Sequence, residues 1–220
     1  MLTTGLTYVS LTYDGSTIGH AEIVLPALDA FGFKGTFFID PSEVLARPRV
    51  WREAHAAGHE IGNGGVLSEF STHSDQLIRE TNEFVFEFFG ERCQSIAQRA
   101  FDQPLQNPVL FTRTGVEGIN RIGSGLPIRA LYCDNYSGPE LIGFIEHAPP
   151  NSWLVFAFMG VGEGEPSIDL SAHQQLLSYL AQSPHQVATF SELARLRALG
   201  AQEWPLEEPE EDERASDGHQ

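Results

Sequence analysis

The segment Trp153-Leu-Val-Phe-Ala-Phe158 is apolar at every position, and it decides the fold class. A strand that faces water on one side alternates polar and apolar residues, whereas a strand that is buried on both faces does not. Strands of this second kind occur in parallel sheets that are covered by helices on their outer faces. The segment therefore predicts an α/β protein with a buried parallel sheet.

Strand and helix signals alternate on both sides of this segment, with turn residues between them. Strands are predicted at 6–13, 35–39, 59–63, 96–101, 109–114, 128–133, 153–158 and 186–189, and helices at 20–31, 50–57, 74–89, 137–148, 171–181 and 189–199. The glycine-rich stretch 115–125 is predicted to be a surface loop. No G-x-G-x-x-G motif follows the first strand, and polar residues of interest follow several strands. A distorted β/α barrel with about seven to eight mostly parallel strands and surrounding helices is therefore favoured over a doubly wound sheet.

Length and charge limit the domain organisation and the partners. The chain has 220 residues, which suits a single barrel domain over residues 1–200. The last part, 201–220, is predicted to be a disordered acidic tail, because Glu203 to Gln220 contains eight acidic residues and one arginine. The formal net charge of −17 argues against binding to nucleic acid or to anionic membranes.

The cysteines and the amino terminus indicate the compartment. Cys93 and Cys133 are far apart in the sequence and have no metal-site spacing, so we interpret them as buried thiols. The first residues lack the features of a signal peptide, and no apolar run reaches the length of a membrane span. We therefore expect a cytoplasmic protein.

Five segments, taken in order, resemble the successive landmarks of the polysaccharide deacetylase family. They are Leu11-Thr-Tyr-Asp-Gly15, the stretch from Pro26 to Ile39, Gly58-His-Glu-Ile-Gly-Asn63, Trp153 to Phe158, and Ala188-Thr-Phe-Ser-Glu-Leu-Ala194. The resemblance spans roughly residues 6 to 199 and implies a distorted β/α barrel. It also implies an enzyme that removes acetyl groups from N-acetylated or O-acetylated sugars, with a divalent metal held by one Asp and two His.

The chain departs from the family pattern at the positions that carry the chemistry. The family has T-[FY]-D-D-G after the first strand, and without a gap Asp14 takes the place of the general base and Gly15 that of the metal-binding Asp. A gap of one residue would instead make Asp14 the metal ligand, and Asp14 could also simply cap the following helix. The family continues G-H-E-I-G-N with H-[ST]-x-x-H, where this chain has Gly64 and Ser68. The resemblance therefore leaves no protein ligand for the metal in the gapless alignment.

Two later motifs differ as well. Met159 stands where the family has a histidine that serves as general acid or orients the base, and methionine cannot transfer a proton. The family's arginine-containing motif corresponds loosely to Gln98 to Pro104, with Arg99 or only Pro104 as the retained element. We therefore expect no bound cofactor, and a divalent metal such as zinc only at a relocated site.

The sequence leaves three functional hypotheses open. The first is a catalytically impaired or diverged barrel of carbohydrate metabolism that binds a carbohydrate or a small acetylated ligand. Its ligand cleft would be lined by Tyr13, His20, Arg99, Phe101 and Met159. Such a protein could act alone, as a homo-oligomer or beside an active paralogue. The second is an active deacetylase or hydrolase with a relocated metal site, for which His20 near Asp14 is the first arrangement to test. His55, His59, His73, Glu60, Glu69, Glu163 and Glu165 are further candidates. The third is a non-catalytic structural or sugar-binding subunit.

Overall fold

The structure, a computed structural model, describes residues 6–66, 74–98, 111–122 and 127–203, which contain nine strands and seven α-helices. The strands are β1 (Tyr8–Asp14), β2 (Thr36–Ile39), β3 (Glu60–Val66), β4 (Ser95–Gln98), β5 (Phe111–Glu117), β6 (Asn120–Arg121), β7 (Ile128–Tyr132), β8 (Ser152–Phe158) and β9 (Gln186–Val187). The helices are α1 (Leu25–Phe31), α2 (Pro41–Ala46), α3 (Pro48–Ala56), α4 (Ser74–Phe89), α5 (Gly138–Glu146), α6 (Leu170–Gln182) and α7 (Phe190–Glu203). A π-helical segment, His20–Val24, leads directly into α1.

Seven parallel strands close into a barrel. The strands pair in the order β1, β2, β3, β4, β5, β7 and β8, and the parallel pairing of β8 with β1 completes the ring. Two short strands lie outside this ring, since β6 pairs antiparallel with β8 and β9 pairs with the beginning of β1. The predicted distorted β/α barrel is therefore confirmed.

Strand β8 lies between two hydrophobic layers, as its uninterrupted apolar sequence predicts. Leu154, Phe156 and Phe158 belong to the layer between the barrel and the helices. Trp153, Val155 and Ala157 belong to the layer inside the barrel. Because successive side chains of a strand point to opposite faces, a strand with no exposed face contains no polar alternation.

Capping residues fix several helix ends where the sequence predicts them. Ser137 and Glu140 form the reciprocal capping box at the start of α5. Glu192 accepts hydrogen bonds from the backbone N–H and the hydroxyl of Thr189 at the start of α7. Gly32 ends α1 with a φ of +70°, a left-handed conformation that glycine adopts without steric cost.

The local structure differs from the prediction in three places. The stretch 115–125 is not simply a loop, because β5 continues to Glu117 and β6 follows at Asn120. The short helix α2 has no counterpart among the predicted elements, although Asp40 and Pro41 give it an N-cap and a first-turn proline. Helix α7 continues to Glu203 and so includes the first three residues of the predicted tail, whereas 204–220 lie outside the described residues.

Two further expectations concern the cysteines and the membrane. Cys93 and Cys133 are both buried free thiols, as predicted. None of the helices in the described ranges has the length and apolar character needed to cross a bilayer.

Asn120 links two strands of the barrel at the place where β6 is added. Its side-chain NH₂ donates to the carbonyls of Arg129 in β7 at 2.9 Å and of Trp153 in β8 at 3.2 Å. Its side-chain oxygen accepts from the backbone N–H of Arg129 at 2.8 Å. One buried amide therefore satisfies backbone groups of β7 and β8 that their own pairing leaves open.

We predict that Asn120→Ala lowers the free energy of unfolding by about 2 kcal/mol, because it leaves buried backbone groups without partners. Chemical denaturation measures the change. Gln174→Ala, which removes an exposed amide from α6, is the control and should stay within about 0.5 kcal/mol of the wild type. Equal stability of the two variants would contradict the linking role of Asn120.

Candidate functional site

Asp14, the last residue of β1, forms a buried ion pair with Arg113 of β5. Arg113 Nη2 donates to Asp14 Oδ2 at 2.5 Å, and neither side chain has any exposed surface. Arg113 Nη1 also donates to Thr12 Oγ1 at 2.7 Å. Strands β1 and β5 are not neighbours in the ring, so the pair crosses the interior of the barrel.

Aromatic rings complete the surroundings of the guanidinium. Arg113 Cζ lies 4.7 Å from the ring centroid of Phe38 and 5.9 Å from that of Tyr132. A cation over the face of an aromatic ring is attracted by the ring quadrupole, most strongly where water is excluded. The guanidinium is therefore held by a carboxylate, a hydroxyl and two rings.

Arg113 is a site residue that sequence reasoning did not identify. It lies in the predicted strand 109–114, where an arginine that shares a strand with Val109, Leu110 and Phe111 is a usable signal. Arginine is almost never fully buried unless it is paired, so an arginine in a core strand predicts a buried acid. The sequence alone does not say which acid that is.

Two polar atoms of the pair lack partners. Among the residues that the structure describes, Asp14 Oδ1 and Arg113 Nε are buried and have no hydrogen-bond partner. A buried polar atom without a partner is unusual, because leaving it unsatisfied costs free energy. The ion pair therefore has one acceptor and one donor to spare.

Tyr13 and His20, which are predicted to line a cleft, lie on the other face of β1. The Tyr13 ring stacks between those of Phe37 and Phe158, and its hydroxyl is 2.8 Å from His173 Nε2. The His20 ring packs edge-on against Tyr13, and its Nδ1 accepts from the Thr17 backbone N–H at 3.2 Å. All these rings lie between the barrel and the helices, so Tyr13 and His20 offer no surface to a ligand and do not meet the Asp14 carboxylate.

Burial controls the protonation of this second cluster. It lowers the pKa of His20 from 6.5 to about 3, with His173 adding to the shift and the Met159 backbone opposing it. Burial also lowers the pKa of His173 from 6.5 to about 4. For Tyr13, burial raises the pKa well above 10.0. The cluster is therefore neutral at physiological pH.

Met159 follows β8 at the level where Asp14 ends β1, since Tyr13 and Phe158 are partners in the register of the two strands. Its side chain is half-buried, and its backbone N–H donates to Asp134 Oδ1 at 3.4 Å. The structure therefore brings Met159 and Asp14 to the same end of the barrel. The remaining predicted positions, Arg99, Phe101, Pro104 and Ser68, lie outside the described residues.

The residues described at this end do not fit the metal that the family resemblance implies. A Cβ at Gly64 would lie 2.6 Å from the Ile39 carbonyl oxygen and 2.7 Å from that of Phe38, so no side chain can be accommodated there. Gly15 has a φ of +97°, which disfavours an aspartate at that position. The positive charge that pairs with the Asp14 carboxylate is the guanidinium of Arg113.

The candidates for a relocated metal site are separated from Asp14. Glu60, at the beginning of β3, accepts hydrogen bonds from Ser95, Ser191 and Thr36. His59 Nδ1 accepts from the Gly35 backbone N–H. Glu60, His59 and His55 line a polar cleft of about 300 Å³ at the amino-terminal end of the strands. Within the described ranges, no three His, Cys, Asp or Glu side chains converge as a metal site would require; Glu69 and His73 lie outside those ranges.

Comparison with known proteins gives one family and one fold. The family model described as polysaccharide deacetylase matches residues 2–103. No curated protein sequence matches the chain.

Three solved structures illustrate the shared fold. Peptidoglycan deacetylase PdaC from Bacillus subtilis is 14% identical with a TM-score of 0.62, and the match covers 90% of this chain and 94% of that one. A family 4 acetyl xylan esterase from Clostridium thermocellum, in complex with a cobalt ion, is 18% identical with a TM-score of 0.59 and coverages of 86% and 91%. A putative polysaccharide deacetylase from Mycobacterium smegmatis is 14% identical with a TM-score of 0.61 and coverages of 94% and 95%. At these identities the likeness shows the fold alone.

We predict that Gly64→Ala lowers the free energy of unfolding by about 2–3 kcal/mol, because the added methyl group would overlap carbonyl groups of β2. Denaturant unfolding measures the loss. Gly143→Ala in α5 is the matched control, since an added Cβ there meets only His147 Nδ1 at 3.9 Å. That control should stabilise the protein by about 0.5–1 kcal/mol. A neutral Gly64→Ala would show that β3 has room for a side chain.

We also predict that stability falls as the pH drops below 6.5. The unfolded chain takes up protons near that pH, whereas folded His20 and His173 stay neutral until about pH 3 and pH 4. His173→Gln should therefore reduce the slope of unfolding free energy against pH between neutrality and pH 5, measured by denaturation at several pH values. Gln174→Ala, which changes an exposed residue of the same helix and removes no titratable group, is the control and should keep the wild-type slope. An unchanged slope in His173→Gln would contradict a neutral buried His173.

Proposed function

We propose that the chain belongs to the polysaccharide deacetylase family, whose family model matches residues 2–103, and that it binds carbohydrate without metal-dependent deacetylation. In this proposal the protein is a catalytically impaired or diverged member of the family. Carbohydrate is the ligand class because the similar solved structures include a peptidoglycan deacetylase and an acetyl xylan esterase. A cytoplasmic location is part of the proposal and is compatible with the two free cysteines.

The observation that carries the proposal is the pairing of Asp14 with Arg113. Metal-dependent hydrolysis needs a cation that lowers the pKa of a bound water and a carboxylate free to take its proton. Here Asp14 Oδ2 already accepts a charge-assisted hydrogen bond from Arg113. The guanidinium has no vacant coordination position, so it cannot activate water as a metal ion does.

The packing at Gly64 supports the same conclusion independently. A histidine cannot be placed there while the β3 backbone lies against the carbonyls of β2. Met159 cannot serve as a proton donor at the end of β8. Gly15 after β1, Gly64 in β3 and Met159 after β8 thus lack the groups that the reaction uses, although all three strands keep their places in the ring.

We expect no acetate release from acetylated chito-oligosaccharide or acetylxylan, whether the purified protein is stripped with chelator or supplied with zinc or cobalt. We also expect well below one equivalent of metal after dialysis, measured by elemental analysis. Both results follow from the absence of side-chain ligands at Gly15 and Gly64.

The Asp14→Asn variant distinguishes acetate release by this protein from acetate release by a contaminating enzyme. Metal-dependent acetate release that disappears in Asp14→Asn would overturn the proposal and establish an active deacetylase with a relocated site. Release that persists in this variant would indicate a contaminating esterase and leave the proposal standing.

A further inference from the structure

A polar cleft opens at the end of the barrel opposite Asp14. Glu60 begins β3 and lines the cleft, whereas Asp14 ends β1, and the two strands run in the same direction. The volume of about 300 Å³ is at the lower end of the range for small-molecule sites. A Cβ added at Gly58, which also lines the cleft, would meet no atom within 4 Å. The cleft therefore has room for a small ligand on this side.

The Glu60 carboxylate holds the walls of the cleft together. Its Oε1 accepts from the hydroxyls of Ser95 in β4 and Ser191 in α7. Its Oε2 accepts from the Thr36 hydroxyl of β2 at 3.0 Å and from the Ser191 backbone N–H at 2.9 Å. These four donors occupy the carboxylate and tie the start of α7 to three adjacent strands. Because the chain itself fixes these walls, a ligand does not have to order them, which reduces the free-energy cost of binding.

Two arginines line the cleft from different parts of the chain. Arg92 follows α4, and Arg195 belongs to α7. Both residues are exposed, and no ion pair among the described residues includes either of them. Arg92 Cζ lies 5.6 Å from the centroid of the Phe86 ring, near the outer limit of cation–π attraction. Both guanidinium groups are therefore available to a negatively charged group in the cleft.

The other acidic side chains of the cleft differ in how they are engaged. Glu192 Oε2 accepts from the backbone N–H and the hydroxyl of Thr189 at 2.9 and 2.8 Å and so caps α7. The Glu91 side chain is 72% exposed, and its Oε2 lies 3.6 Å from His55 Nε2, a cation only when protonated. Glu91 is therefore the acid of the cleft that a positively charged group can reach and pair with.

These available charges select a ligand that carries both signs. A net anion would be repelled by the −17 charge of the chain, and a net cation would be repelled by the two guanidinium groups. A zwitterion is neutral at long range and has one group for each partner, a carboxylate for arginine and an ammonium group for glutamate. Ile61 and Val85 also line the cleft and give it an apolar wall.

We propose that the cleft at the amino-terminal end of the strands binds a free α-amino acid with an apolar side chain. Arg92 and Arg195 bind its carboxylate, Glu91 accepts hydrogen bonds from its ammonium group, and Ile61 and Val85 contact its side chain. The site lies at the other end of the barrel from the candidate carbohydrate site, so this inference goes beyond the proposed function and does not depend on it.

Isothermal titration at neutral pH and low ionic strength tests the proposal with three ligands of similar shape. L-Leucine carries both charges, 4-methylpentanoate lacks the ammonium group, and 3-methylbutylamine lacks the carboxylate. We expect L-leucine to bind with a millimolar or lower dissociation constant. Each analogue should bind about tenfold more weakly or worse, because it loses one charge-assisted contact. Glycine, which keeps both charges but has no apolar side chain, should also bind more weakly than L-leucine.

Two variants assign the charges to residues. Arg195→Gln should weaken L-leucine binding about tenfold and remove its advantage over 3-methylbutylamine. Glu91→Gln should weaken it similarly and remove its advantage over 4-methylpentanoate. Arg129→Gln and Glu146→Gln are the matched controls, because they change exposed charges outside the cleft, and both should bind L-leucine as the wild type does. Thermal unfolding checks that each variant is folded.

Four results would contradict the inference. They are no binding of L-leucine, equal binding of 4-methylpentanoate, equal binding of 3-methylbutylamine, or equal L-leucine binding by the wild type, Arg195→Gln and Glu91→Gln. The second result would indicate a site for anions, and the third a site for cations. No acetylated sugar takes part in these measurements, so their outcome is independent of the acetate-release assay.

Discussion

The ion pair between Asp14 and Arg113 is the constraint on which the interior of the barrel depends. Removing two charges from water is expensive, and their attraction compensates only when both are paired and well hydrogen-bonded. The pair meets that condition in part, through Thr12 and the ring of Phe38, while Asp14 Oδ1 and Arg113 Nε have no hydrogen-bond partner among the described residues. It joins strands that do not touch in the ring, so the position of β5 relative to β1 is fixed by charge as well as by backbone pairing. Loss of one partner would leave the other as an uncompensated buried charge.

Much of the fold could be predicted from local sequence, because the strand and helix signals in the sequence agree with the strands and helices of the barrel. The apolar run from Trp153 to Phe158 indicates a strand with no exposed face, and Ser137 and Glu140 mark a helix start by their spacing alone. The helix at 74–89 is predicted with its observed bounds. By contrast, β6 has only two residues and depends on the Asn120 side chain and on β8. No periodicity in the sequence contains that information.

The site is less predictable than the fold, because its central ion pair depends on closure of the barrel. The partner of Asp14 comes from a residue 99 positions away, and only closure of the ring brings those strands face to face. The placement of Tyr13 could have been anticipated, since adjacent residues of a strand point to opposite faces. If Asp14 faces the barrel interior, Tyr13 must face the helices, where it meets His173. Tyr13 and Asp14 belong to one sequence motif because they are adjacent in the chain, but the pleat of β1 places their side chains on opposite faces of the strand.

The glycines of β3 have a consequence for how this barrel could change. A Cβ at Gly62 would overlap the Phe38 ring at 2.6 Å, and one at Gly64 would overlap the β2 backbone. Phe38 and the β2 backbone thus occupy the space that side chains at Gly62 and Gly64 would need. Phe38 is also the ring that packs against the Arg113 guanidinium. Placing a histidine at position 64 therefore requires moving β2, and moving β2 disturbs the contacts of the guanidinium. A side chain on this part of β3 therefore cannot be gained by one substitution without loss of stability, because Phe38 and the β2 backbone would have to shift together with it.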